Sequence, residues 1–230
     1  MAKGFHTTRW TLVRQSQGDD TLSRQALSDL CAAYYAPVVA FIIRSGFDDG
    51  RARDLAHDFF TRLLASPASL KPDRMRGKFR SYLLGAAKHF VSDALDRERA
   101  LKRGGGAEIT HLTATGLVLP DDSVLAPDRE FDRQWALTVL GRVMQGLEAE
   151  FDQAGRAAHF TLLKPWLIGE EAAMTQAEAA ARLDMNEGAL KVAIHRLRKR
   201  FRELIRTEIA HTVGNEAEAK EELAHLLAAV

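Results

Sequence analysis

The chain has 230 residues, 46% hydrophobic and 27% charged, with a formal net charge of +1. That composition excludes a disordered polyelectrolyte or a low-complexity chain and leaves room for one or two domains with cores of their own. Overall charge excludes a uniform attraction to polyanions, but its distribution is uneven. Residues 71–103 hold ten Lys/Arg against four Asp/Glu and 186–206 hold seven against two, while 104–135 hold two against six and 207–230 one against five. Two basic segments in acidic surroundings point to two separate contacts with a polyanion.

The start, MAKGFHTTRW, lacks the apolar core of a signal peptide, and the longest apolar run, APVVAFII at 36–43, is shorter than a bilayer span. The only cysteine, Cys31, lies on the stripe Leu22, Ala26, Leu27, Leu30, Cys31, Tyr34, which predicts a buried thiol and fits a reducing compartment. The expectation is a cytoplasmic protein with no membrane contact.

Nearly every periodic segment has helical spacing, and no run alternates as a strand would. Helices are predicted at 20–45 (perturbed at Pro37), 50–65, 79–102, 131–150, 156–168, 175–183, 187–207 and 216–229. Breakers Pro67, Pro72 and Gly77 make 66–79 a loop. After Arg103 a glycine run, two prolines and acids predict an extended linker between two all-α domains.

In the helix at 50–65, Ala52, Leu55, Ala56, Phe59, Phe60 and Leu63 form the apolar side. The polar side mixes Asp54 and Asp58 with Arg51 and Arg53. In the segment 77–103, Phe79, Tyr82 and Phe90 alternate with Lys78, Arg80, Lys88, His89 and Arg97. Cations that follow a backbone and rings that stack on bases are the chemistry of holding single-stranded DNA. Tyr82 and Phe90 fall near the Leu83–Ala86 stripe and are expected in the core, which leaves Phe79-Arg80, at the loop-to-helix junction, as the functional pair.

The segment 175–204 reads as a helix-turn-helix. Thr175 and Glu178 have the spacing of a capping box, Ala179, Ala180 and Leu183 form a packing face, and Asp184-Met185-Asn186 makes the turn with Asn186 as the next cap. Leu190, Ile194, Leu197 and Phe201 point inward. Such a helix reads bases from its N-terminal part, here Glu187, Lys191, Val192 and His195, while the later cations meet phosphates.

Catalysis has little support. His57-Asp58 and His89-x3-Asp93 offer no third metal ligand, and the glycines at 104–106 precede no helix and no Lys-Ser/Thr. The expectation is no enzyme, no cofactor and no metal site.

Three features, FFTRLL after the Asp-containing helix, then KFRSYLLGAAKHFVSDALDR, then NEGALKVAIHRLRKRFREL, occur in that order. Together they resemble the extracytoplasmic-function class of bacterial RNA polymerase sigma factors, from about Leu22 to Arg206. The opening TTRWTLV and closing EAEAKEELAHLLAAV look like a subgroup of that class with added terminal segments. The resemblance implies two helical domains: 1–103 binding core polymerase and the −10 element, and 131–207 reading the −35 element through the helix-turn-helix. An acidic linker at 104–130 and a C-terminal helical extension at 208–230 complete the chain.

Carried over by position, Lys78, Phe79, Arg80, Lys88 and His89 fall on the −10 side. Lys191, Val192, His195 and Arg196 fall on the −35 side, with Glu187 facing bases beside them and Arg198 and Lys199 toward phosphates. The implied partners are the β′ and β subunits of core RNA polymerase and promoter DNA. The competing reading is a dimeric helix-turn-helix repressor or activator with 1–103 as sensor.

Where this family has D-A-E-D-L and a further acid, this chain has RARDL and Asp58, so two acids of the polymerase-binding patch have become Arg51 and Arg53. With Asp54, Asp58 and Thr61 these residues are the expected core-polymerase contact. At 100° per residue Thr61 lies about 20° from Asp54 and about 60° from Asp58. A phosphate there adds a charge of about −1.5 to −2 and is expected to pair with Arg53 or Arg62. The implied regulator is a Ser/Thr protein kinase acting at Thr61.

Overall fold

A computed structural model describes residues 21–65, 78–104, 125–168 and 174–230. The described residues form helices and turns, with no strand among them, so the chain is all-α as expected. The helices are α1 (Thr21–Arg44), α2 (Asp49–Ala65), α3 (Phe79–Gly104), α4 (Pro127–Gln153), α5 (Ala157–Leu163), α6 (Pro165–Ile168), α7 (Gln176–Arg182), α8 (Glu187–Ala210) and α9 (Glu216–Ala229). Most of the loop expected at 66–79 and most of the linker lie outside the described residues, and Phe79 already opens α3. The linker's last residues are helical: Pro127 opens α4 with Asp128 and Glu130 in its first turn. Proline costs nothing at that position, and acids there oppose the positive end of the helix dipole.

Proline explains the other departures. α1 continues through Pro37. The lost hydrogen bond and ring clash cost about 3 kcal/mol. Burial of Val38, Phe41 and Ile42 beside it offsets this, at about 1.5–3 kcal/mol per side chain. At Pro165 the helix expected over 156–168 breaks into α5 and α6, with Pro165 at the first position of the second, where its missing N–H is no loss.

The chain divides into two compact units, residues up to Thr138 with Ala210–Val230, and Val139–Ile209. The division falls inside α4 and not at the expected 103/131 boundaries, and the C-terminal helix belongs to the first unit and not to a separate extension. In the first unit α1 packs against α2. Tyr34 sits at its centre, edge-on to Phe79 at 5.1 Å and stacked on Phe131 at 6.2 Å. Phe79, Leu83, Ala87, Val91 and Ala94 turn one face of α3 inward. By length and composition, Gln25–Arg44 of α1 is apolar enough to cross a bilayer. Here 56% of it is buried inside the protein, which a core helix also shows.

The second unit is built on Leu147, Phe160, Leu163, Ala179, Ala180, Leu190, Ile194 and Leu197. Gly155, at φ +66°, ends α4; Arg156 N–H reaches back to the Phe151 carbonyl (2.8 Å) and Gly155 N–H to that of Asp152 (2.9 Å).

Cys31 is buried, and burial pushes its thiol up to about 12. Thiol reagents at pH 8 should therefore leave the folded protein unlabelled and modify Cys31 only as the first unit unfolds, a transition that mass spectrometry along a urea titration measures.

Candidate functional site

In the second unit α7 is followed after four residues by α8, at the place where the sequence suggests a helix-turn-helix. Thr175 Oγ1 accepts from Glu178 N–H (3.3 Å), and the Glu178 carboxylate accepts from Thr175 N–H (2.7 Å), so the capping box is complete. Those hydrogen bonds hold the Glu178 carboxyl below its usual range. Asp184 takes the left-handed conformation at φ 51°, which a short polar side chain tolerates. Asn186 Oδ1 then accepts from Ala189 N–H (2.8 Å) and starts α8.

Burial of Leu190, Ile194 and Leu197, with Phe201 half-buried, sets the rotation of α8. It leaves Glu187, Lys191, Val192, His195, Arg196, Arg198 and Lys199 exposed. Val192, 48% exposed, is an apolar side chain among these cations. Beside them runs a groove of about 830 Å³, with Phe151, Met185 and Val192 in its lining and Arg156 and Arg196 among its cations.

Two arginines serve the fold. Arg198 donates from Nε (3.1 Å) and from Nη2 (2.7 Å) to the Trp166 carbonyl, tying α8 to α6. That use differs from the phosphate contact expected of it. Arg200 grips Glu150 of α4 with two hydrogen bonds of 2.9 and 2.5 Å, which raise its pKa and lower that of Glu150.

In the first unit the expected −10 residues are placed differently. Phe79 is fully buried, and its N–H donates to the Thr212 carbonyl (3.0 Å), so it does not offer a ring to a base. Tyr82 and Phe90, expected in the core, are only half-buried. Arg80 is 7% exposed. Its Nε donates to Glu222 Oε1 (2.5 Å), its Nη1 to Asp132 Oδ1 (2.5 Å), and it lies 5.2 Å from the Trp135 ring centre. Burial works against its charge, but the Glu222 hydrogen bond and the Glu222 and Asp132 charges prevail, and its pKa is raised. Lys78 meets Glu221 (3.1 Å) and Glu222 (3.3 Å). Lys88 meets Asp128 (2.5 Å), and His89 is exposed. The covering residues lie at 128–132 and 212–222, so no local pattern announced them.

The polar face of α2 is close to its expected form. Ala52, Leu55, Ala56, Phe59, Phe60 and Leu63 are buried, and Arg51, Arg53, Asp54, Asp58 and Thr61 are exposed. Arg53 makes two hydrogen bonds to Asp49 (2.9 and 3.0 Å), and Arg51 reaches Glu98 of α3 (3.2 Å). The first pair has the i, i+4 spacing that the sequence displays; the second spans 47 residues. Arg62 lies over Phe90 at 5.3 Å. Both guanidiniums proposed as partners for a Thr61 phosphate are thus engaged elsewhere. Among the described residues no cluster of three metal-ligating side chains occurs.

Comparison with known proteins finds no match. Neither a family model, a curated protein nor a solved structure aligns with this chain.

Asn186→Ala removes the cap of α8 and should lower the stability of the second unit by about 1 kcal/mol, read by thermal or urea unfolding.

Proposed function

We propose that the chain is an alternative sigma factor of the extracytoplasmic-function class, which recruits core RNA polymerase to promoters in the cytoplasm. The observation that carries the reading is α8: a capped helix of a helical hairpin whose outward N-terminal half presents Glu187, Lys191, Val192, His195 and Arg196 over a separate apolar core. That arrangement suits major-groove contact. The polymerase assignment adds the resemblance of the α2 and α3 segments. In this reading the protein acts through binding, without cofactor or catalysis. Its partners are the β′ and β subunits, promoter DNA and a Ser/Thr kinase.

The charge pattern on α2 underlies the kinase. Arg51 and Arg53 carry cations where the resembling family carries acids, which weakens attraction to a basic polymerase surface. Their pairing with Glu98 and Asp49 reduces this effect without restoring a net acidic patch. Thr61 is exposed on the same helix as Asp54 and Asp58. With Arg53 and Arg62 engaged, a phosphate there acts by adding about −1.5 to −2 charge to the face and not by forming an internal ion pair.

Run-off transcription with purified core polymerase tests the assignment. Thr61→Glu and the double change Arg51→Asp/Arg53→Glu should raise core affinity and promoter-dependent product, and Thr61→Ala should stay inactive after kinase treatment. Absence of promoter-dependent product from every activated form overturns the sigma-factor reading. An active Thr61→Ala overturns the phosphorylation alone.

Lys191→Ala should cost about 1–3 kcal/mol on promoters carrying its preferred base and relax selectivity at that position. Lys199→Ala should weaken binding to all sequences alike. A panel of −35 variants separates the two outcomes; equal losses for Lys191→Ala on every variant remove it from base reading.

A further inference from the structure

The basic segment at the start of α3 is covered by carboxylates from the far end of the chain. Lys78 and Arg80 both contact Glu222, which has no exposed surface, and Lys78 also meets Glu221. Two anions one residue apart on a helix thus stand against two cations two residues apart. An Arg fork grips carboxylate and phosphate in the same way.

The helix that brings these carboxylates is held more by polar contacts than by apolar burial: Glu222 meets Arg80, and His225 Nε2 lies 2.9 Å from Asp132 Oδ2, its ring 6.0 Å from that of Trp135. Of its fourteen residues only Glu222 and Leu226 are buried, and Leu227 is 69% exposed. A helix packed for stability alone buries about three to four apolar side chains in every two turns. Its N-terminal end is self-sufficient: Asn215 Oδ1 accepts from Glu218 N–H (2.9 Å), and Glu218 accepts from Gly214 N–H (2.8 Å). The preceding residues Thr212 and Val213 are buried, and the Thr212 carbonyl holds Phe79 N–H. α9 carries its own cap, and beyond Gly214 it meets the rest of the unit through Glu222 on Arg80, Leu226, and His225 against Asp132.

We propose that α9 is a carboxylate lid over a phosphate-binding surface formed by Lys78 and Arg80, and that a single-stranded nucleic-acid backbone displaces it. Exchange is the essential point. Losing Glu222 alone would strand a buried guanidinium, whereas an incoming phosphate oxygen satisfies Arg80 as the carboxylate leaves. Asp132 stays on Arg80 throughout and aims the fork. The proposal rests on reading the first unit as a nucleic-acid-binding domain, and not on the polymerase.

The test uses a fluorescent single-stranded oligonucleotide without promoter sequence, with binding read by anisotropy in the absence of polymerase. The full chain, Glu221→Gln/Glu222→Gln and a chain ending at Asn215 are compared, with circular dichroism confirming the fold of each. Both altered chains should bind at least about five-fold tighter than the full chain, and adding Lys78→Gln/Arg80→Gln should abolish that gain. Hydrogen exchange on the unaltered chain is the arm that needs no variant: the oligonucleotide should speed exchange of the α9 amides. No acceleration in α9, or a gain in affinity that survives Lys78→Gln/Arg80→Gln, overturns the lid. Failure of run-off transcription with a positive result here removes the polymerase and leaves the lid in place.

Discussion

The Arg80 guanidinium is the charge on which the first unit turns. It is nearly buried, and it is tolerated there only because Glu222 and Asp132 meet it and the Trp135 ring faces it. Removing one partner from such a pair costs about 3–5 kcal/mol, because the remaining charge is left without water or counter-charge. The requirement draws together α3, the start of α4 and α9, which are remote in sequence. The placement of Phe79 follows from it: with its neighbour held inward, the ring enters the core beside Tyr34 and the backbone N–H finds the Thr212 carbonyl.

The second unit depends on nothing so distant. Thr175 and Glu178 are three residues apart, as are Asn186 and Ala189, and the stripe of Leu190, Ile194 and Leu197 is a plain helical repeat. Interactions of this range leave a mark in the sequence, and here the reading and the structure agree. The apolar face of α2 was legible for the same reason. The burial of Phe79 and Arg80 and the ion pairs of Lys78 were not legible, because a basic-aromatic run looks the same whether solvent or acids face it. The acids that do so lie as far as 142 residues away. Proline signals were less legible: a helix expected to run through Pro165 breaks there, while the helix around Pro37 runs on through it.

The α2 face shows how local pairing tempers an argument from charge reversal. Counted singly, Arg51 and Arg53 oppose Asp54 and Asp58. In the fold, Asp49 and Glu98 bind the two guanidiniums at the surface. Exposed pairs of this kind contribute little to stability, about 0–1 kcal/mol, yet they hold the cations in fixed positions. A binding partner therefore meets a pattern of alternating charge and not a basic patch.

The tether from Arg198 to the Trp166 carbonyl bears on how the second unit would respond to ionic strength. Each cation that neutralises a DNA phosphate releases condensed counterions and steepens the dependence of affinity on salt by about 0.9 in the logarithmic slope. A guanidinium already spent on a peptide carbonyl, like the Arg200 fork on Glu150, releases none. In the proposed DNA contact, the basic composition of α8 therefore overstates the salt dependence that its cations would confer.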